Sequence, residues 1–173
     1  MTQINSFKQL EQVLLQKIAD ALNEVAQKAE KLLKEHVETD VYDVGTGIGR
    51  EHYYDSSKKP TGQLRDSVVH SNPEVKGGEI TAKVYHDKDL MEFEPDTYLH
   101  GSHYFSPEDV REMLPYFIDS GSTGSIFGPK WKGLMRPYFS NTKKEIEEGL
   151  LTKWWVEALN KRGIQVNVGV SIK

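Results

Sequence analysis

Lys59-Pro60-Thr61-Gly62-Gln63-Leu64-Arg65-Asp66-Ser67-Val68 is the stretch whose reading decides the fold. Pro60 fixes its own φ and disfavours the helical region for Lys59, so the chain arrives extended. Thr61 can cap the turn that follows, and Gly62 permits a sharp change of direction. Leu64 and Val68, four residues apart, share a face of one helical turn. The segment therefore redirects the chain and anchors it at two apolar points. It divides a long helical pattern from strand-like patterns.

Working back from it, Thr39 to Gly49 reads as a loop or arm with Gly45, Gly47 and Gly49 close together. It lacks the Lys-Ser/Thr of a P-loop and the spacing of a dinucleotide fingerprint, so a flexible loop is the better reading. Before it lies a long helix. Ser6-Phe7-Lys8-Gln9 has the capping-box pattern, and Leu10, Val13, Leu14, Ile18, Ala21, Leu22, Val25, Ala29, Leu32, Leu33 and Val37 recur at three- and four-residue steps. Continuous to Val37, this helix spans roughly 45–50 Å. That is long for one small core, so part of the stripe is available to a neighbour. The charges on the other side, Lys17, Asp20, Glu24, Lys28, Lys31 and Glu35, read as a solvated face.

Working forward, Ser67–His70 and Glu79–His86 read as two strands, with Pro73–Gly78 as the turn and Gly77-Gly78 supplying positive φ. Ile80, Ala82, Val84 and His86 alternate with Thr81, Lys83, Tyr85 and Asp87, which predicts one buried and one wetter face. The run from Asp87 to His103 breaks the pattern and is acidic: Asp87, Asp89, Glu92, Glu94 and Asp96 against Lys88. Ser106-Pro107-Glu108-Asp109 starts a short helix that Pro115 ends or kinks. A Gly/Ser-rich loop runs to Gly133. Arg136-Pro137-Tyr138-Phe139 opens a last helix, striped by Phe139, Ile146, Leu150, Trp154, Ala158 and Leu159 and stopped at Lys161-Arg162-Gly163. The segment Ile164, Val166, Val168, Val170, Ile172 alternates strictly with smaller or polar residues. It is a candidate strand or arm, at an edge or lent to another subunit.

Composition narrows the function. The 173 residues suit one domain with a real core, and the net charge of −4 argues against a dedicated DNA-binding surface. With no cysteine, disulfide frameworks, thiolate zinc sites and cysteine nucleophiles are excluded. Met1–Phe7 lacks the pattern of a signal peptide, and no apolar run reaches bilayer length, so a soluble cytosolic or virion protein with no membrane association is expected.

Three strings invite a chemical reading. Phe117-Ile118-Asp119-Ser120-Gly121-Ser122 resembles the active-site turn of aspartic proteases, which need two such carboxylates sharing a proton. The later Gly-Arg-Asp/Asn of those enzymes is absent, and their chain is all-β. His100-Gly101-Ser102-His103 beside the acids suggests a metal, yet it has neither the glutamate of a helical zinc motif nor the order of a calcium loop. No cofactor is expected, and the acidic run reads as a solvated loop. Such a surface also suits a passage through which DNA slides without sticking. Trp154 and Trp155 point about 100° apart on a helix. Either one enters the core and the other anchors an interface, or both pack internally.

Taken in order, the long helix, Tyr53-Tyr54, the Thr61-Gly62-Gln63-Leu64-Arg65-Asp66-Ser67-Val68 turn, a hairpin, Phe117-Ile118-Asp119-Ser120-Gly121-Ser122-Thr123-Gly124, and Arg136-Pro137-Tyr138-Phe139 before a final helix are similar to a known family. It is that of the small head–tail joining, or tail-completion, proteins of tailed phages and prophages. In that family the middle piece reads like aromatic–apolar–Glu–x–Gly–Thr and the later one like Arg-Pro-Phe. The resemblance accounts for the Asp119 string better than a protease does and covers the greater part of the chain. It implies an α+β domain over 1–173, with a small antiparallel sheet clasped by the two helices. Residues 87–116 would be an insertion, and 164–173 would extend the core. Thr61, Gly62, Leu64, Ser67, Val68, Asp119, Gly121, Arg136 and Pro137 would be fold and assembly positions with no catalytic role. Trp154, Trp155, Ile164, Val166, Val168 and Val170 are candidate interface residues. The implied role is a structural virion protein, assembled in the host cytoplasm, forming a ring at the head-proximal end of the tail, commonly a hexamer. Its implied partners are the head-completion or stopper protein, the tail terminator and the tail tube, with DNA passing through unread.

Overall fold

The computed structural model describes residues 5–43, 62–92, 99–100, 103–104, 106–120 and 135–166. The protein is α+β and mostly helical. Helix α1 (Phe7–His36) runs on through a wider π turn, Val37–Tyr42. Ser6 Oγ accepts the Gln9 N–H (3.2 Å), while the Gln9 side chain reaches back to the Asn5 N–H (2.8 Å), so the expected capping box forms one residue out of register. Residues 39–42, expected in a loop, are instead helical. Val37 and Val41, both buried, extend the apolar stripe by another turn, and Asp43 N–H closes it onto Glu38 O at 2.8 Å.

A short helix α2 (Gln63–Asp66) leads into strands β1 (Val68–His70), β2 (Glu74–Lys76), β3 (Glu79–Thr81) and β4 (Val84–His86). β2 and β3 pair antiparallel with Val75 opposite Ile80, and Gly77 and Gly78 turn between them at φ 58° and 85°. That positive φ is the conformation only glycine adopts without strain. The turn is therefore shorter than expected: residues 74–76 join the ladder. The second expected strand is interrupted at 82–83, giving β3 and β4, and β4 pairs with β1. The bonds Ser71 N–H to Lys83 O and Asp87 N–H to Ser67 O bracket that pair, so it too runs antiparallel. The predicted alternation holds as far as His86: Ile80, Ala82, Val84 and His86 are half-buried and Thr81, Lys83 and Tyr85 are exposed, while Asp87, expected on the wetter face, is half-buried. A 3-10 turn (Lys88–Leu90) and a minimal pair, β5 (Leu99–His100) with β6 (His103–Tyr104), follow.

Helix α3 (Pro107–Ser120) starts on a Ser106 cap and passes through Pro115, so of the expected stop or kink the stop does not occur. Its last turn accepts hydrogen bonds from Arg136, Phe139 and Ser140. The last helical stretch is broken, where one helix was expected. Helix α4 (Tyr138–Glu145) passes through a π turn, Ile146–Leu150, into α5 (Leu151–Lys161), with Gly149 at φ 135° marking the kink. Helix α5 ends in a Schellman motif at Gly163, with Gly163 N–H on Asn160 O and Ile164 N–H on Leu159 O, both 3.0 Å. Residues 164–166 are not strand, and 167–173 lie outside the described residues, as do Gly45, Gly47 and Gly49.

The chain gathers into two compact units. The first comprises Met1–Glu30, His70–Val84 and Glu145–Lys173; the second comprises Lys31–Val69 and Tyr85–Lys144. In the first, Ala21 and Val25 of α1 meet Ala158 and Leu159 of α5, with Ile18, Trp154, Trp155, Ile164 and Val166 packed around them. The small residues let the helices approach. Charge fixes their register: Lys28 meets Glu157 (3.1 Å), Glu24 meets Arg162 (3.0 Å) and Lys161 (3.3 Å), and Arg162 also reaches Asp20 O (2.8 Å). Contacts fall along α1 as they rise along α5, so the two run antiparallel. His70 pairs with Glu30 in the same unit. The second unit buries Leu33, Val37, Val41, Leu64, Val68, Met91, Val110 and Tyr138. Among the described residues no helix is long and apolar enough to cross a membrane.

Candidate functional site

The sequence motifs meet in the second unit, in a buried polar junction. Gly62 precedes α2 in the left-handed region (φ 82°), where a side chain would be strained. An added Cβ would also sit 3.1 Å from the Arg65 guanidinium. The turn it starts buries Leu64, Ser67 and Val68. Ser67 Oγ lies 2.8 Å from Leu64 O and 2.8 Å from His86 Nδ1, and His86 Nε2 lies 2.9 Å from the Tyr138 hydroxyl. A carbonyl only accepts, so the Ser67 hydroxyl donates to Leu64 O. The Nδ1–H of a neutral His86 then donates to Ser67, and Tyr138 donates to Nε2. Every member is satisfied. Desolvation lowers the His86 pKa to about 4 and, with Asp119 and Tyr42 nearby, raises that of Tyr138.

Serine beside histidine resembles an activated nucleophile, and the burial argues otherwise. Ser67 and Tyr138 are fully covered, and the serine proton is committed to a carbonyl. The arrangement links α2, β4 and α4 as a polar brace.

Asp119 does related work on α3. Its Oδ1 accepts the N–H groups of Phe139 (2.8 Å) and Ser140 (3.0 Å), and its Oδ2 accepts the Ser140 hydroxyl (2.7 Å). Those are the second and third residues of α4, whose flanking residue, Pro137, has no side chain able to cap. Asp119 thus caps a helix from another element. The expected turn at Phe117–Ser120 is helix, and Gly121 lies outside the described residues. Arg136 completes the junction: its N–H donates to Ile118 O at the end of α3 (3.0 Å), and Nη1 donates to Val41 O in the π turn after α1 (2.9 Å). Asn141 donates to Asp40 (3.0 Å), which also pairs with His36 (2.9 Å). Burial alone would raise the Asp40 carboxyl; the bonds from Asn141, His36 and Thr39 outweigh it and hold it below the usual range.

Of the expected fold positions, Gly62, Leu64, Ser67, Val68, Asp119, Arg136 and Pro137 all belong to this unit, and Thr61 lies outside the described residues. Trp154, Trp155, Ile164 and Val166 pack on the other unit's core, both tryptophans half-buried; Val168 and Val170 lie outside the described residues. The sequence did not single out His86, Asp40 or Asn141 for roles. A histidine in phase with the buried face of a strand was the available signal for the first.

A cleft of about 360 Å³ lies between Tyr85–Asp89 and Arg111, Glu112 and Pro115. It mixes both signs of charge, and the buried Arg111 Nε has no hydrogen-bond partner among the described residues. Within the acidic run, Asp87 accepts the Asp89 N–H (3.0 Å), and Lys88 pairs with Glu108 (2.7 Å). His100 and His103 are opposed in the β5–β6 register. Among the described residues no group of three or more acidic or histidine side chains is placed to hold a metal.

The chain is a mostly helical α+β protein in which the described motif residues Ser67, Asp119 and Arg136 are bonded within the fold. The family model YomN matches residues 6–162, and the chain belongs to the YomN family. That family name is derived from Bacillus phage and prophage, and the protein is phage-related. Neither a curated protein nor a solved structure matches it.

Proposed function

We propose that this protein is a structural, non-enzymatic subunit of the phage neck or tail, forming a homo-oligomeric ring at the head-proximal end of the tail and joining tail to head. The observation that carries the reading is the mating of the motif side chains: Ser67, His86, Tyr138, Asp119 and Arg136 spend their hydrogen bonds on holding elements together. Family membership supplies the phage context. The order of motifs supplies the resemblance to head–tail joining proteins. The net charge of −4 suits a lining past which DNA slides. An aspartic protease would need an unencumbered Asp119 carboxylate, whereas both of its oxygens are engaged in capping. Immunogold electron microscopy of intact virions tests the proposal. Label at the head–tail junction is expected; label confined to the head shell or tail tip, or none, would overturn it.

A further inference from the structure

The cleft between Tyr85–Asp89 and helix α3 lies wholly within the second unit. Its half-buried polar groups are engaged, Arg111 excepted. His86 is bonded to Ser67 and Tyr138 through its two ring nitrogens, Asp87 accepts the Asp89 N–H, and Lys88 is held by Glu108 at 2.7 Å. Arg111 is half-buried, and among the described residues its side chain has neither a hydrogen bond nor an ion pair. A guanidinium drawn partly out of water without an acceptor costs free energy. Ser67, Tyr138 and Asp119 in the same unit are all mated, so Arg111 breaks the rule that its surroundings keep. Residues that break such a rule without an internal gain belong to sites.

The lining says what the acceptor is. The planar fork of an arginine fits carboxylate and phosphate alike. Asp87, Asp89 and Glu112 line the same cleft, against Lys88, which Glu108 already neutralises. That excess of negative charge repels a phosphate dianion or a nucleic-acid backbone. It admits a single carboxylate that carries cations beside it, because Asp89 and Glu112 are exposed and flank the arginine. Pro115 and the ring of Tyr85, 43% exposed, add apolar wall for the atoms between those charges. A volume of about 360 Å³ takes one side chain with its adjoining backbone.

We propose that this cleft binds an aspartate or glutamate side chain, flanked by basic residues, on a segment of a partner protein, with Arg111 as its anchor. The inference adds a class of partner to the structural role proposed above and does not depend on the ring.

Nuclear magnetic resonance of the full chain tests it. The probe is an acetylated, amidated peptide Ala-Lys-Glu-Lys-Ala. Saturable shifts at Tyr85, Asp89, Arg111 and Glu112 are expected, with a Kd below about 10 mM. The Ala-Lys-Gln-Lys-Ala and Ala-Glu-Glu-Glu-Ala peptides should each bind at least about tenfold more weakly. Arg111→Gln should abolish the shifts with a melting temperature no lower than the parent's. Asp89→Asn/Glu112→Gln, confined to exposed side chains, should tighten the all-glutamate peptide. No saturable shift with the first peptide, or equal binding of its glutamine counterpart, would overturn the inference. Inorganic phosphate or free lysine binding as tightly would overturn the choice of a protein segment. A fall of more than about 4 °C in Arg111→Gln would show that the guanidinium serves the fold instead. None of these outcomes alters where immunogold label is expected on the virion.

Discussion

The two units are held by different means. In the first, two helices meet through small residues, and their register is set by ion pairs whose members are partly exposed, such as Lys28–Glu157 at 33% and 50%. Such pairs are individually worth about 1 kcal/mol or less. In the second, buried Ser67 and Tyr138 and half-buried His86 are bonded in series, and three helix ends are closed by Asp119 and Arg136. Removing one partner there strands another in low dielectric, which costs about 1–3 kcal/mol. The second unit is thus braced by buried polar bonds, whereas the first leaves Phe7, Leu10 and Leu14 exposed.

The sharpest way to break this contrast is Tyr138→Ala. It removes a fully buried ring and unmates His86, and should cost about 3–5 kcal/mol in denaturant unfolding. A loss below about 1 kcal/mol would mean that the junction is not stabilising.

Acid should strike the same place. Unfolded histidine titrates near 6.5 and His86 near 4, so the unfolded chain takes up the proton first. Stability from this group is whole above pH 6.5, falls as pH drops through the window, and is gone below pH 4, a loss of about 3 kcal/mol. Subtracting the profile of His86→Gln isolates the effect from the carboxylates. Identical profiles for the two proteins would contradict it.

Asp119→Ala should cost about 1–2 kcal/mol, the worth of a lost cap, and destabilise α4 first. Hydrogen exchange at the Phe139 and Ser140 amides reads this directly; unchanged protection there would rule out the cap. Phe7→Ser, in the first unit, should shift the stability of the isolated chain by under about 0.5 kcal/mol. A larger loss would show that this face is already covered.

Local signals were legible in the sequence. The Ser6 start, the Gly77-Gly78 turn, the period-two face ending at His86 and the Gly163 stop each depend on residues within a few positions. The failures are tertiary. Pro115 reads as a stop or a kink, and the helix runs on past it to Ser120, where Ile118 and Asp119 are bonded by residues 136–140, more than fifteen positions further along the chain. Gly149 sits inside an apparently regular stripe, and nothing adjacent announces its φ of 135°. The aspartate–serine–glycine string looks catalytic because a capping aspartate and a catalytic one share the same chemistry, a carboxylate accepting several hydrogen bonds. Only the partner across the fold tells them apart.

The most direct measurement of the proposed role is electron microscopy of particles made by a phage with a null allele of this gene. Filled heads and separate tails that fail to join, or tails of abnormal form, are expected. Normal, infectious virions would contradict the account.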